Sequence, residues 1–229
     1  GIDAAYKAVI LSQFGFGATI DFDDVSHKGI TNISTDDVAV AQELGYVIKL
    51  VGDVREVESG ISAEVSPTFL PKNHPLASVN DVMNAVFVES IGIGESMYYG
   101  PGAGQKPTAT SVLADIIRIA RRLSDGNVGK PFNEFRRDLP LANPADVKSN
   151  YYFALDTPDE KGKILHLSQI FNSEDISFEQ VLQQKANGTT ARIVVITHAM
   201  SKTQLQAVTE KLEAAEDFTV VNTLKVLSN

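Results

Sequence analysis

The stretch that decides the fold is residues 191–227, which read "ARIVVITHAMSKTQLQAVTEKLEAAEDFTVVNTLKVL". Residues 191–199 form a nearly continuous apolar and β-branched run, which is typical of a buried strand. Ser201 is a residue type favoured at a helix N-cap, and residues 201–217 have the spacing of an amphipathic helix. Residues 218–227 are again rich in β-branched side chains. The stretch therefore predicts a strand, a helix and a further strand.

The residues before it supply the first half of the same unit. "YYFALDTP" at 151–158 predicts a strand, "GKILHLSQIFNS" at 162–173 a helix, and "ISFEQVLQQ" at 176–184 another strand. Four apolar residues of this helix are expected to face mainly inward: Ile164, Leu165, Leu167 and Ile170. The predicted order is βαββαβ, the ferredoxin-like split motif.

The first half of the chain has a different organisation. Residues 2–16 and 35–44 predict helices, the second with Ser34 or Thr35 as its N-cap and Gly45 after its end. Four strand-like segments follow at 46–59, 61–70, 82–90 and 94–100. Consecutive strands without intervening helices favour an antiparallel or mixed sheet. The fold class is therefore α+β: a mixed β-sheet with helices on one face, followed by the βαββαβ unit.

Domain boundaries follow from these elements. A third helix begins near Pro107 or Thr108 and ends before Gly126. Residues 127–149 contain proline and asparagine without clear periodicity, so they predict a linker. The expected division is a first domain at 1–126, a linker at 127–149 and a second domain at 150–229.

Composition excludes several kinds of function. The formal net charge of −9 argues against nucleic acid as the main partner. The chain has no cysteine, which excludes disulfides and thiolate sites, and no two of its four histidines have metal-ligand spacing, so no metal is expected. Because the chain has neither a run of about 18 apolar residues nor a signal-peptide pattern, we expect no membrane partner and a cytoplasmic location.

Asp3 and Lys7 are the first candidate for chemistry. They are four residues apart, so they share one face of the predicted helix. Such a pair is commonly a surface ion pair, worth about 0.2–0.5 kcal/mol. Alternatively, Lys7 beside a carboxylate relays a proton to a substrate oxygen.

A glycine-rich loop is the second candidate. Gly100, Gly102 and Gly104 alternate directly before the third helix. Glycines at this position let backbone N–H groups approach an anion or a flat ring closely. The alternative is a tight connection between two elements.

The remaining polar features favour structural roles. Asp21–Asp24, "DFDD", resembles a cation site, but a solvated loop is the favoured interpretation. His27, His74 and His166 are expected at the surface or at caps, and His198 at the edge of the core.

Four segments occur in the same order as in bacterial homoserine dehydrogenases, which the chain closely resembles. They are "GIDAAYKAVIL" (1–11), "GITNISTDDVAVAQELGYVIKL" (29–50), "NAVFVES" (84–90) and "YGPGAGQKPTATSVLAD" (99–115). The resemblance runs from residue 1 to about residue 125. The βαββαβ unit resembles an ACT domain.

The resemblance implies NAD(P)-dependent interconversion of L-aspartate 4-semialdehyde and L-homoserine, on the route to threonine, methionine and isoleucine. It implies that Lys7 exchanges the proton of the alcohol oxygen and that Asp3 orients Lys7 and the substrate. Gly102 and Gly104 become candidate contacts of the cofactor, NADP or NAD. The helix from about residue 107 would pack on the nucleotide domain.

One departure from the family pattern is large. The family begins with a Rossmann domain, and it has a substrate-binding glutamate just before the "G-x-D" motif. The 229 residues contain neither of these features. We therefore expect the C-terminal part of a longer enzyme, inactive without the Rossmann domain. The other hypothesis is a free-standing amino-acid-binding regulatory protein with a degenerate catalytic half.

The ACT resemblance implies side-by-side pairing of two units, hence a homodimer or a higher oligomer, and an amino-acid effector such as threonine at the interface. Asp156, Gly162 and Asp175 match the approximate positions of the effector site. The loop is one residue longer than the common form and has Lys161 where proline would precede glycine. A pure dimerisation module is the alternative.

Overall fold

The computed structural model describes residues 1–127, 129, 135–185 and 189–228. The chain divides into two compact units, one formed by Gly1–Pro71 with Phe135–Asn229 and the other by Lys72–Glu134. Outside the described ranges lie residues 128 and 130–134 of the predicted linker, residues 186–188 and residue 229.

The described helices and strands follow the predicted order. The α-helices are α1 Ile2–Phe16, α2 Thr35–Glu43, α3 Gln105–Ser124, α4 Lys163–Asn172 and α5 Lys202–Ala214, and 3-10 helices span Phe22–Asp24 and Pro75–Ser78. The strands are β1 Ser26–His27, β2 Tyr46–Val57, β3 Gly60–Pro71, β4 Met83–Ser90, β5 Gly94–Pro101, β6 Lys148–Pro158, β7 Phe178–Lys185, β8 Thr190–Thr197, β9 Met200–Ser201 and β10 Thr219–Val226. The predicted βαββαβ order of the last 80 or so residues is confirmed as β6-α4-β7-β8-α5-β10, with the short β9 before α5.

Within the described residues, one mixed sheet runs through the first unit. Its strand order is β1-β3-β10-β6-β8-β7, while β2 pairs with β3 and β9 with β6. β10 lies antiparallel to β6 but parallel to β3, through the pairs Lys225–Thr68 and Val226–Phe69. The strands of the βαββαβ unit and the β2–β3 hairpin are therefore hydrogen-bonded into the same sheet.

Alternating side chains give this sheet two buried faces. On β6, Tyr151, Phe153 and Leu155 pack in the cluster that contains residues of α4 and α5. Tyr152 and Ala154 point to the other face, in the cluster that contains Val40 and Ala41 of α2. The helix α1 packs on Ile61, Ala63 and Val65 of β3, which lie on the same face as Phe69 and hence as α2. The predicted arrangement of the first two helices on one face of the mixed sheet is confirmed.

Helix α4 differs in part from the sequence expectation. Leu167 and Ile170 are buried as predicted, but Leu165 is 64% exposed and Ile164 is 42% exposed. The prediction that all four residues face mainly inward was wrong for these two. The reason is their place in the first turn of α4, where they line an open cleft and are not covered by the core.

The described part of the predicted linker lies against the first unit. The N–H of Arg137 donates to the carbonyl of Gly17 at 3.0 Å, and the N–H of Ile61 donates to Pro140 at 2.9 Å. Leu139 packs against the cluster of buried side chains that includes Ala5 and Ala8 of α1 and Ile61 of β3. The predicted domain boundaries at residues 126 and 150 stay a prediction. The two compact units describe how the chain packs and do not define where a functional domain begins or ends.

The second unit consists of the antiparallel β4–β5 hairpin and α3 with the loops around them. Helix α3 begins at Gln105, slightly before the predicted start near Pro107 or Thr108. None of the residues Gln105–Ser124 is buried. Six of its apolar side chains are exposed: Val112, Leu113, Ile116, Ile117, Ile119 and Leu123. Among the residues described in either unit, no helix is both long and apolar enough to cross a membrane.

Candidate active site

Helix α1 carries the candidate catalytic pair, and its ends are defined by glycine. Gly1 is the N-cap, and Gly17 adopts φ 70° after the last turn. The N–H of Gly17 donates to Gln13 at 3.1 Å, and that of Ala18 donates to Ser12 at 3.2 Å, which satisfies carbonyls at the end of the helix. The inner face consists of small residues, Ala5, Ala8 and Ser12, which lets the helix lie close to the sheet.

Asp3 and Lys7 lie on the outer face of α1. The Lys7 Nζ is 2.7 Å from the Asp3 Oδ2, and the two side chains are 55% and 85% exposed. Tyr6, Ile10 and Phe14 on the same helix are also exposed, so the ion pair is bordered by apolar side chains. The ammonium group has three donors, and the pair with Asp3 leaves others available to a further acceptor.

An aromatic stack fixes the segment beside α1. Tyr6 stacks on Phe22 with ring centroids 4.4 Å apart, and Phe22 contacts His27 at 5.2 Å. In the adjoining acidic turn, the N–H of Asp21 donates to the Asp24 carboxylate at 2.8 Å. The acidic cluster thus serves the local turn. Among the described residues, no group of three or more His, Asp or Glu side chains is arranged to hold a metal ion.

The glycine-rich loop lies in the second unit. A Cβ at Gly102 would be 1.6 Å from the Nδ2 of Asn84, so a side chain at this position would require the exposed amide of Asn84 to move. The N–H of Gly102 donates to the carbonyl of Val82 at 3.0 Å. Gly104 adopts φ 128° and is the N-cap of α3. A glycine cap supplies no side-chain acceptor for the N–H groups of Gln105 and Lys106, and Pro107, the third residue of α3, has no N–H.

A cleft lies at the N-terminal end of α4, where the effector site was predicted. Its volume is about 310 Å³, and its lining includes Thr157, Lys161, Gly162, Ile164, Leu165 and Gln183. Gly162 is the N-cap of α4 and adopts φ 93°. Lys163, which also lines the cleft, donates to Asp217 at 2.5 Å. Hydrogen bonds from Lys163 and His166 hold the pKa of Asp217 below its usual range.

The three predicted effector residues do not meet in this cleft. Asp156 accepts two hydrogen bonds from Arg192, at 2.8 Å and 3.0 Å. As an even-numbered residue of β6 it lies on the face of the sheet opposite α4. Asp175 adopts φ 58° in the turn after α4 and is not among the residues that line the cleft. Only Gly162 of the three lines it.

The histidines take up structural positions. The Nδ1 of His74 accepts the N–H of Leu76 at 3.2 Å and caps the second 3-10 helix. The Nδ1 of His166 is 2.7 Å from Asp217. His198 is exposed and not at the edge of the core, so that prediction was wrong. The reason is that β8 ends at Thr197, one residue earlier.

A buried ion cluster that sequence patterns missed lies where β10 meets β3. Lys225 contacts Asp53 and Glu64, and Lys202 of α5 lies 2.6 Å from Glu64. Burial opposes the charged form of Glu64, but the ammonium groups of Lys225 and Lys202 outweigh it and lower its pKa to about 2. No signal in the sequence links these residues, because each comes from a different element.

The arrangement is that of a mixed α+β protein with a solvent-facing lysine–carboxylate pair, a kind of site suited to proton transfer. A model of the family described as homoserine dehydrogenase matches residues 1–117. The chain belongs to this family, as its motifs predicted.

Curated relatives and solved structures agree with this assignment. The chain is 58% identical to a homoserine dehydrogenase of Lactococcus lactis, over 100% of this chain and 54% of the relative. It is 35% identical to that of Bacillus subtilis, over 94% of this chain and 50% of the relative. A crystal structure of a homoserine dehydrogenase from Thiobacillus denitrificans matches with a TM-score of 0.91 at 32% identity, covering 100% of this chain and 53% of that one. The chain thus spans about half the length of the curated relatives it matches.

Proposed function

We propose that this chain supplies the substrate-side catalytic residues for the NAD(P)-dependent interconversion of L-aspartate 4-semialdehyde and L-homoserine. The observation that carries the proposal is the Asp3–Lys7 ion pair, with 2.7 Å between Nζ and Oδ2. It lies on an exposed helix face within the residues that the family model matches. We further propose that this reaction belongs to the route to threonine, methionine and isoleucine. The enzyme works in the cytoplasm, where its soluble metabolites are.

Lys7 has the proton-transfer role. A carbonyl that gains hydride develops negative charge on its oxygen, and a cationic acid within hydrogen-bond distance stabilises that charge and donates the proton. In the opposite direction, neutral Lys7 accepts the proton of the alcohol. Asp3 orients the Lys7 ammonium through the ion pair.

Gly104 and the N-terminal amides of α3 fit a cofactor contact. A helix N-terminus without a side-chain cap offers N–H donors to a polar or anionic group. The nicotinamide cofactor, NADP or NAD, supplies or accepts the hydride when bound. Gly102 belongs to the same proposed contact.

The direct test is homoserine-dependent reduction of NADP or NAD by the full-length gene product, followed at 340 nm. Comparing the two cofactors also decides the preference. The Asp3→Asn variant should lower kcat by about tenfold to a hundredfold, because the ammonium loses its charged partner. Asp23→Asn, in the acidic turn, is the matched control and should retain wild-type kcat. No homoserine-dependent turnover with either cofactor would refute the proposal.

A second proposed function is amino-acid binding at the α4 cleft. It is supported by the cleft's volume of about 310 Å³ and by the helix N-terminus and lysines at its edge. These groups suit a carboxylate, and the exposed Ile164 and Leu165 suit an apolar side chain. Asp156 and Asp175 do not line this cleft, so of the three predicted effector residues only Gly162 belongs to the proposed site.

Calorimetric titration of the full-length gene product with threonine, methionine and isoleucine tests this second function. Saturable heat with one amino acid, lost in Leu165→Glu and kept in Leu113→Glu on α3, is the expected result. Equal binding by both variants, or no heat with any of the three, would contradict it and leave the unit as a dimerisation module.

We also propose a homodimer. An isolated two-stranded sheet is marginally stable in water. The β4–β5 hairpin is a sheet of this kind, and four of its large side chains are exposed: Val86, Val88, Tyr98 and Tyr99. In the proposed dimer the second copy covers these side chains. Light scattering coupled to size exclusion should give twice the monomer mass, and a monomer at micromolar concentration would contradict this.

A further inference from the structure

A second buried polar cluster joins the βαββαβ unit to helix α2. Asp37 in the first turn of α2 is 1% exposed. It accepts hydrogen bonds from the Tyr152 hydroxyl and the Asn222 Nδ2, each at 3.0 Å. Tyr152 belongs to β6 and Asn222 to β10. A residue from the part of the chain that the family model matches is therefore bonded to two strands outside that part.

A β-bulge directs Asn222 toward this cluster. The register of β10 on β6 shifts between Val220 and Asn222. A bulge re-aims the side chains that follow it and is a designed feature of a sheet. Asn222 is 5% exposed, and its amide nitrogen also donates to the carbonyl of Asn32 at 3.1 Å. The bulge thus places one amide between α2 and the segment that precedes it.

Lys28 continues the contact toward helix α1. Its Nζ donates to the carbonyl of Thr223 at 3.2 Å and is 3.4 Å from the Asn222 Oδ1. Its backbone N–H donates to the carbonyl of Val65 at 2.8 Å. Its own carbonyl lies against the start of α1, because a Cβ at Gly1 would be 3.2 Å from that oxygen. One residue therefore contacts β10 through its side chain and the N-cap of α1 through its backbone.

We propose that Lys28 and Asn222 are positioning residues, through which β10 of the βαββαβ unit sets the position of the first turn of α1. This inference rests on the proposed function, since that turn carries Asp3 and is followed by Lys7. Neither Lys28 nor Asn222 touches the reacting atoms. Displacement of β10 alters the Lys28 contacts and shifts the first turn of α1, and a small misplacement of a catalytic group is costly to turnover.

Hydrogen exchange of the full-length gene product tests the link independently of activity. Lys28→Met keeps the aliphatic stem and removes the ammonium. In this variant we expect the amides of Ala5–Lys7 to exchange roughly fivefold faster, with no change at the end of α1, since one local contact is lost. Lys28→Arg keeps donors and should restore slow exchange. Lys211→Met is the matched control: Lys211 makes comparable contacts on α5, to Ser173 at 2.6 Å and Glu174 at 2.5 Å.

Kinetics provide the second readout. Lys28→Met should lower kcat several-fold and leave the KM for homoserine within about twofold, while Lys211→Met should change neither. Unchanged exchange of the α1 amides in Lys28→Met would overturn the link whatever the kinetics show. If the wild-type protein lacks dehydrogenase activity, the proposed function fails, but the exchange comparison still decides whether Lys28 positions α1.

Discussion

Replacing Asp37 with alanine should be among the most destabilising single changes at the contact between α2 and the sheet. The carboxylate accepts hydrogen bonds from the backbone N–H and the hydroxyl of Ser34, at 2.9 Å and 2.8 Å. It also accepts the Tyr152 and Asn222 bonds at 3.0 Å each. Burial opposes its charge, yet the bonds from Ser34, Asn222 and Tyr152 outweigh burial and lower its pKa.

The expected loss of folding free energy in Asp37→Ala follows from the polar groups that lose their acceptor. Asp37→Ala leaves the Tyr152 hydroxyl and one N–H of the Asn222 amide without their acceptor in the interior, at roughly 1–3 kcal/mol each, while the other N–H of Asn222 keeps the carbonyl of Asn32. Losing the capping box at Ser34 adds about 1 kcal/mol. The sum is about 3–7 kcal/mol. For a domain of this size each kcal/mol shifts Tm by about 2–4 °C, so Tm should fall by roughly 6–28 °C.

The assay is urea denaturation at pH 7 with thermal melts alongside it, on the full-length gene product. Asp36→Ala is the matched control, because Asp36 is the adjacent acid and its side chain is 71% exposed. Its ion pair with Arg192 is worth at most about 1 kcal/mol. A loss below about 1 kcal/mol in Asp37→Ala, or equal losses in both variants, would refute the reasoning.

Two further predictions concern the other structural contacts. Gly104→Ala should destabilise the second unit by about 1–3 kcal/mol, because φ 128° is a backbone conformation that residues with a Cβ rarely adopt; Gly100→Ala, with open space around it, should cost less than about 0.5 kcal/mol in the same melts. Since the pKa of Glu64 is lowered from 4.5 to about 2 in the folded state, its ion cluster stabilises the protein above about pH 4.5, and that stability is lost as the pH falls toward 2. Urea midpoints measured from pH 7 to pH 3 should therefore fall more steeply for the wild type than for Glu64→Gln, and parallel curves would contradict the assignment.

Local pattern predicted the elements well. The βαββαβ order follows from strands such as residues 191–197, whose β-branched side chains face two buried layers, and from helix α5 with Ser201 as its N-cap. The Asp3–Lys7 pair also follows from helical spacing, since an i,i+4 contact depends on the helix alone.

The sequence did not predict the contacts between elements that lie far apart along the chain. The parallel contact of β10 with β3 joins residues about 157 positions apart, and neither strand's pattern specifies it. Asp37 reads as an ordinary acid in the first turn of a helix, yet it is buried by Tyr152 and Asn222, which come from strands far along the chain. Leu165 matched helical spacing but lies where the first turn of α4 faces a cleft.

The central claim is that Lys7 moves the proton of the substrate oxygen. The measurement that tests it most directly is kcat/KM for homoserine in Lys7→Ala of the full-length gene product, with Lys211→Ala as the control. The account predicts a fall of about a hundredfold to ten-thousandfold for Lys7→Ala, with an unchanged Tm, and wild-type turnover for the control. Near-normal turnover in Lys7→Ala would contradict it, and the Asp3–Lys7 pair would then be a surface ion pair.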